Sequence, residues 1–392
     1  MIDEDLNARM IAWRRHLHAH PEVATTEART ADFVAAELSG LGIEFERGVG
    51  GHGIVATLTR PGSARCIGLR ADMDALPIHE ETGLPHASQT AGVMHACGHD
   101  GHTASLLGAA NLLAADPSWS GTVRLVFQPA EEGAIGARAM IEDGFFERFP
   151  MDAIFAYHNW PGLPAGEISA VPGPIMAAGG RIGIKLLGTA SHAAMPHRSR
   201  DALLAAGHLL TALQSIASRM VDPLEAAVVS ITTLQTGLAF NQVADRVTLG
   251  GTMRTLKPEV RDRVEEEIVR ISEGIAATFG MKAEVNLRRS APATVNDPKA
   301  TQLAARAAEV IGATVHSATP PSLAGEDFAF LLERIPGAMV WIGNGPLEGG
   351  RELHSPRYDF NDDILPVAAR WLHEVAKQGL RDNQPVNHTA RP

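Results

Sequence analysis

The densest chemistry in the chain lies in His95-Ala96-Cys97-Gly98-His99-Asp100-Gly101-His102, which sets three imidazoles, a thiol and a carboxylate within eight residues. Imidazole nitrogen, thiolate sulfur and carboxylate oxygen together form a donor set for borderline-soft divalent metals. A single cysteine here excludes a closed four-sulfur structural site. The small, apolar run from Thr103 to Leu113 predicts a helix that starts right after the donors, so that they sit on its entry loop. Further donors stand at Glu131 and Glu132, at His158 and at His354. Taken singly, each has a plain structural reading: Cys97 as core, the glutamates as a solvated helix start, His158 as a satisfied buried imidazole.

The elements around these donors have a common pattern. Leu6, Met10, Trp13 and Leu17 recur at helical spacing, and Pro21 ends that helix; a second runs from about Glu27 to Leu41. Short apolar runs at 53–58, 66–69, 122–127 and 152–157 read as buried strands. Charged groups follow them: Arg70, Asp72 and Asp74, then Glu131 and Glu132, then His158. Open α/β sheets place their sites at the carboxyl ends of strands, so an α/β enzyme is expected, with a mixed sheet flanked by helices. Near Gly179 the order becomes strand, helix, strand, strand, helix, strand. That is the ferredoxin-like βαββαβ unit. The division expected is a catalytic domain over 1–179, an inserted domain over 180–291, and a second catalytic part over 292–392. The polar stretch from Arg381 to Pro392 lacks periodicity and is expected to be mobile.

Bulk properties narrow the partners. With 392 residues, two domains are expected. A net charge of −11 argues against nucleic acid or an anionic membrane, which require a basic face. No apolar run of about 18 residues marks a transmembrane helix. The acidic start Met1-Ile2-Asp3-Glu4-Asp5 is unlike a signal peptide. Cys66 reads as a small buried hydrophobe, and no disulfide framework is indicated, so a reducing, cytoplasmic location is expected.

The ordered motifs Arg15-His16-Leu17-His18-Ala19-His20-Pro21-Glu22, Leu69-Arg70-Ala71-Asp72-Met73-Asp74-Ala75-Leu76-Pro77, the Cys97 cluster, Gln128-Pro129-Ala130-Glu131-Glu132-Gly133, Gly188-Thr189-Ala190-Ser191-His192-Ala193-Ala194-Met195-Pro196, Gly325-Glu326-Asp327-Phe328 and Leu353-His354-Ser355-Pro356 span nearly the whole chain. In this order they resemble the M20 metallopeptidase family, in its amidohydrolase branch of hippurate, N-acyl-amino-acid and auxin-conjugate hydrolases. The resemblance implies two divalent ions, with Cys97 bridging and His99, Glu132, His158 and His354 as the other ligands; Zn, Mn, Co or Ni would suit them. It implies Glu131 as general base, with the two glutamates diverging as neighbours on an extended segment. Arg70 stands where the wider family has a ligand histidine, and Asp72 would orient a ligand without touching metal. Asp74, His18 and His20 are read as structural. The inserted domain would be a lid and dimerisation domain, giving a homodimer or a tetramer. There His192 would reach the partner's site and donate to the substrate carbonyl, and Asn241 and Arg254 would grip the substrate carboxylate. The implied reaction is metal-dependent hydrolysis of an N-acyl-amino acid, a small-molecule substrate, to a carboxylate and a free amino acid. A dipeptidase or carboxypeptidase of the same family is the alternative, and a non-catalytic ligand-binding relative a further one.

Overall fold

The apolar stripe Leu6, Met10, Trp13 and Leu17 is buried along helix α1 (Glu4–Ala19), whose first turn is capped by the Asp3 carboxylate accepting from the Leu6 N–H at 2.8 Å. These elements come from a computed structural model that describes residues 2–237 and 239–381. The stretch expected to be mobile beyond Arg381 therefore lies outside the described residues. The chain divides into two compact units. The first takes the residues up to Gly173, Val295–Pro320 and those from Asp327 on; the second takes Pro174–Thr294 and Pro321–Glu326.

In the first unit, strands β1 (Glu44–Val49), β2 (Gly53–Arg60), β3 (Cys66–Asp72), β4 (Gly121–Gln128) and β5 (Ala153–Pro161) join the strand Gly337–Gly345 and two short strands in an eight-stranded sheet. β1, β2 and β4 pair antiparallel, whereas β4, β3, β5 and Gly337–Gly345 are mutually parallel. The sheet is thus mixed. Its parallel centre is near-continuously buried, as expected of strands covered on both faces. Helix α2 (Ala28–Gly40) packs on β1 and β2. Helix α3 (His99–Ala115) is enclosed by α1, by the sheet and by the helix Leu365–Arg381. Residues 99–110 of α3 are all buried, so its composition is small and apolar rather than amphipathic.

Two sequence expectations need correcting here. α3 starts at His99 rather than Thr103, because Gly98 at φ +95° turns the chain directly into it. His158 lies inside β5 rather than after it. After the Gly325-Glu326-Asp327-Phe328 motif the chain makes one short turn of helix at Ala329–Leu332.

In the second unit the strands Ala178–Leu187, Ala227–Thr236, Arg246–Thr255 and Lys282–Arg289 form an antiparallel sheet. The spatial order is second, third, first, fourth. The helices Ala202–Leu213 and Pro258–Thr278 join the same core: Ile182, Ile184, Leu186 and Leu249 meet Leu209, Val264 and Ile268. No helix among the described residues is long and apolar enough to cross a membrane.

Candidate metal centre

The parallel strands β3, β4, β5 and Gly337–Gly345 end at one edge of the sheet, and each delivers its chain into a segment that carries candidate donors. Cys97 precedes α3, and His99 is its first residue. A Cβ at Gly98 would stand 2.6 Å from the Tyr358 hydroxyl, so only glycine lets the thiol and the imidazole leave the turn as they do. His158 approaches from β5, its Nε2 lying 3.4 Å from Cys97 Sγ. His354 lies on the loop after Gly337–Gly345, its N–H tied to the Ala96 carbonyl at 2.8 Å. Its φ of +63° is a left-handed conformation, costly for a residue with a Cβ. Such strain gathers where a side chain must be aimed.

The two glutamates do not lie on an extended segment. Ala130 and Ala134 take left-handed φ values of +53° and +52° and bend the chain after β4 into a tight turn. Asp74 holds that turn: Oδ1 accepts from the Glu131 N–H and Oδ2 from the Glu132 N–H, each at 3.0 Å. Glu131 is only 9% exposed, and its Oε1 accepts from the Asp327 N–H at 3.3 Å.

Among the described residues, three of the groups in which donor atoms converge within 4.8 Å contain the expected ligands: Cys97, His99 and His158; Cys97, Glu132 and His354; and His99, Glu131 and Glu132. Cys97 belongs to two of them. The ring nitrogens are prepared for coordination. His158 Nδ1 donates to the Asn159 carbonyl at 2.7 Å, which leaves the Nε2 lone pair facing the cysteine. His99 Nδ1 donates to Asp74 Oδ1 at 3.3 Å, while its Nε2 is buried without a hydrogen-bond partner. A buried imidazole nitrogen left bare, aimed among a thiol and carboxylates, fits a divalent ion, and its other nitrogen held by a carboxylate is the usual support of such a ligand.

The local electrostatics agree. Burial pushes His158 well below the ordinary imidazole pKa, aided by repulsion from His102 and His99. It is therefore neutral, the form that ligates. Burial opposes charge on His99, but Asp72, Asp74 and Glu132 outweigh it and push its pKa up to about 10, so a metal taking its Nε2 displaces a proton. Burial raises Glu132, but His354 and His99 hold its carboxyl below the usual range. The pocket thus concentrates negative potential where cations would sit.

Asp72 accepts from His102 Nδ1 at 2.6 Å and from Arg70 Nη1 at 2.7 Å, and its Oδ2 forms an ion pair with His99 Nε2 at 3.7 Å, beyond hydrogen-bond reach. The hydrogen bond to His99 comes from Asp74. Spacing alone could not separate two aspartates at i and i+2, which share one face of a strand. Arg70 is buried and joins β3 to β4 and to the 327 segment, donating to Asp72, to Gln128 Oε1 at 2.9 Å and to Asp327 at 3.2 Å. His102, inside the donor cluster, has both ring nitrogens engaged, by Asp72 and by Asn159.

In the second unit, the short strand Ser191–His192 pairs with Gln242–Val243, and the Ala193 N–H donates to the Asn241 carbonyl at 2.8 Å. His192 and Asn241 are thereby neighbours. The Ala194 N–H donates to His192 Nδ1 at 3.1 Å, so Nδ1 accepts and Nε2 is the donor nitrogen of this exposed ring. Arg254 lies on Arg246–Thr255 opposite Gly179, half-buried, with Nη1 donating to the Met253 carbonyl.

Residues 68–378 match the model of peptidase family M20/M25/M40, and the chain belongs to that family. Among its relatives, an N-acetyl-L-cysteine deacetylase of Bacillus subtilis (strain 168) is 40% identical over 380 residues, covering 97% of this chain and 90% of the relative. A hippurate hydrolase of Campylobacter jejuni is 40% identical over 379 residues, covering 96% and 98%. The crystal structure of the Bacillus subtilis YXEP protein, described as a dinuclear metal-binding peptidase of the M20 family, superposes with a TM-score of 0.86 at 38% identity, covering 97% of this chain and 99% of that one.

Proposed function

We propose that the chain is a metal-dependent amidohydrolase that cleaves the amide of N-acyl-amino acids, giving a carboxylate and a free amino acid. The observation that carries this reading is the convergence of Cys97 with two donor groups beside the buried Glu131. It is supported by relatives named for deacetylating N-acetylcysteine and hydrolysing hippurate. Cys97, His99, Glu132, His158 and His354 would hold two divalent ions, with Cys97 shared between them. Such ions, when bound, supply Lewis acidity that lowers the pKa of water and polarises the scissile carbonyl. Zn, Mn, Co and Ni all suit a mixed thiolate, imidazole and carboxylate set.

The protein's own groups do the rest. Glu131, not a ligand in this reading, takes the proton of the attacking water and delivers it to the departing nitrogen. The Asp327 N–H at its Oε1 and the Asp74 carboxylate behind its backbone keep it aimed. Asp74 also fixes the tautomer of His99. Asp72 acts one step back, through His102 and Arg70.

The segment 180–291 is read as a ferredoxin-like lid and dimerisation domain, set between catalytic parts 1–179 and 292–392. The strand order and antiparallel pairing support that reading. His192 would donate through Nε2 to the carbonyl oxygen in the partner subunit's site, and Asn241 and Arg254 would hold the substrate carboxylate. The chain would work in the cytoplasm as a homodimer. Exposed Leu203 and Leu204 on Ala202–Leu213 offer apolar surface for such pairing. The test is hydrolysis of a panel of acetyl-, benzoyl- and indole-acetyl-amino acids and dipeptides by metal-assayed protein. Cleavage of acyl-amino acids in preference to dipeptides is expected; cleavage of dipeptides alone would replace this reading with a peptidase.

A further inference from the structure

The motif at 15–22 and its neighbour Arg14 have no part in the reaction proposed above, yet Arg14 is fully buried. Its guanidinium reaches two chain segments that are remote in sequence. Nε lies 3.0 Å from Asp100 Oδ2, an ion pair without hydrogen-bond alignment, in the first turn of α3 and next to His99. Nη2 pairs with Asp359 Oδ1, and Nη1 stands 3.6 Å from Asp362 Oδ1, both on the segment that follows His354. Nη1 also donates to His86 Nε2 at 2.8 Å. The same two segments touch elsewhere. A Cβ at Gly101 would strike the Phe360 ring; from β5, Asn159 Nδ2, beside His158, also donates to the Tyr358 hydroxyl at 2.6 Å.

We infer that Arg14 is a positioning residue of the metal centre: one buried guanidinium, forked between Asp100 and Asp359, locks the Cys97/His99 turn to the His354 loop. Two arguments favour this over a role in stability alone. A buried ion network gains little over apolar packing of the same volume, because taking the charges out of water offsets their attraction. Its distinctive product is geometry, and a planar fork fixes two carboxylates relative to one another as a lysine cannot. Both carboxylates stand within five residues of a proposed ligand, and the two ligand segments share no strand or helix, only the backbone hydrogen bond from His354 to Ala96. His18 completes the arrangement from the same helix, its Nδ1 donating to Asp100 Oδ2 at 2.8 Å.

This inference rests on the two-metal reading, and the experiment separates the two. Divalent metal affinity is measured by chelator competition on wild type, Arg14→Lys and Asp359→Asn, with circular dichroism and melting temperature recorded for each. Asp116→Asn is the control. Asp116 pairs with Lys377 at the far end of α3, so its loss loosens the same helix without touching the clamp. The clamp predicts that Arg14→Lys and Asp359→Asn keep the fold and lose metal affinity by about tenfold or more, as supports of metal ligands do, while Asp116→Asn keeps wild-type affinity. Affinities within about twofold of wild type in both clamp variants would overturn it. An equal fall in Asp116→Asn would also overturn it, since loosening α3 anywhere would then suffice. A wild type that takes up no divalent metal would instead remove the two-metal reading itself.

Discussion

Replacing Asp74 tests how the site is held together. The side chain is 1% exposed and takes three donors: the N–H groups of Glu131 and Glu132, each at 3.0 Å, and His99 Nδ1 at 3.3 Å. In Asp74→Asn one carboxylate oxygen becomes an NH2 group, which cannot accept. At least one donor then loses its acceptor, at about 1–3 kcal/mol for a buried group. The Glu131/Glu132 turn already carries two left-handed alanines, so it has little tolerance for that loss. Metal affinity should fall by about 10–100-fold, the usual effect of removing an outer support of a ligand. Turnover at saturating metal should fall as well, since Glu131 shares the same anchor. Asp72→Asn is the comparison: its partners are His102 and Arg70, so it should cost stability more than metal affinity. The assays are chelator competition, thermal melting and kcat/KM on an N-acyl-amino acid. If Asp72→Asn stripped the metal while Asp74→Asn kept wild-type affinity and turnover, the assignment of the orienting carboxylate would be refuted.

Three further outcomes follow from the same structure. Arg254→Ala should cost more than about 1 kcal/mol in kcat/KM on a free acid, beyond what a surface ion pair is worth, and little on the corresponding amide; equal losses on both would make Arg254 structural. Mixing inactive His192→Ala and Glu131→Gln chains should restore part of the activity after subunit exchange, because one site of the heterodimer regains both groups; no rescue would place His192 outside the partner's site. Burial disfavours charge on His18, but Asp100 and Glu80 outweigh it and push its pKa up to about 9. A pKa raised on folding stabilises fully below the unfolded value of about 6.5 and is lost as pH rises through about 9. The melting-temperature gap between wild type and His18→Gln should therefore be widest near pH 6 and close above pH 9. A gap independent of pH would show that the imidazolium contributes nothing.

Elements with one strong local signal were legible in the sequence. The stripe of α1 and that of Pro258–Thr278, with Val264, Ile268 and Ile271 buried, announce themselves by spacing. The donors were legible too, because imidazole, thiol and carboxylate crowd at strand ends. What stayed hidden depends on the backbone path between motifs. The start of α3 turned on the left-handed Gly98, and the Glu131/Glu132 turn on left-handed alanines, a conformation no propensity predicts for alanine. Asp74 read as structural because its three donors arrive from segments 25 and 57 or more residues away. Arg14 carries no signal in the sequence beyond its charge; only the fold brings Asp100 and Asp359 to it.

The central claim is that Glu131 does proton transfer while its neighbour Glu132 holds metal. Elemental analysis and turnover on an N-acyl-amino acid, measured together for Glu131→Gln and Glu132→Gln, test it most directly. The account predicts that Glu131→Gln keeps its full metal complement and loses about two or more orders of magnitude in kcat, the usual worth of positioned acid–base catalysis. Glu132→Gln should lose metal. Metal lost from Glu131→Gln and kept by Glu132→Gln would contradict the account.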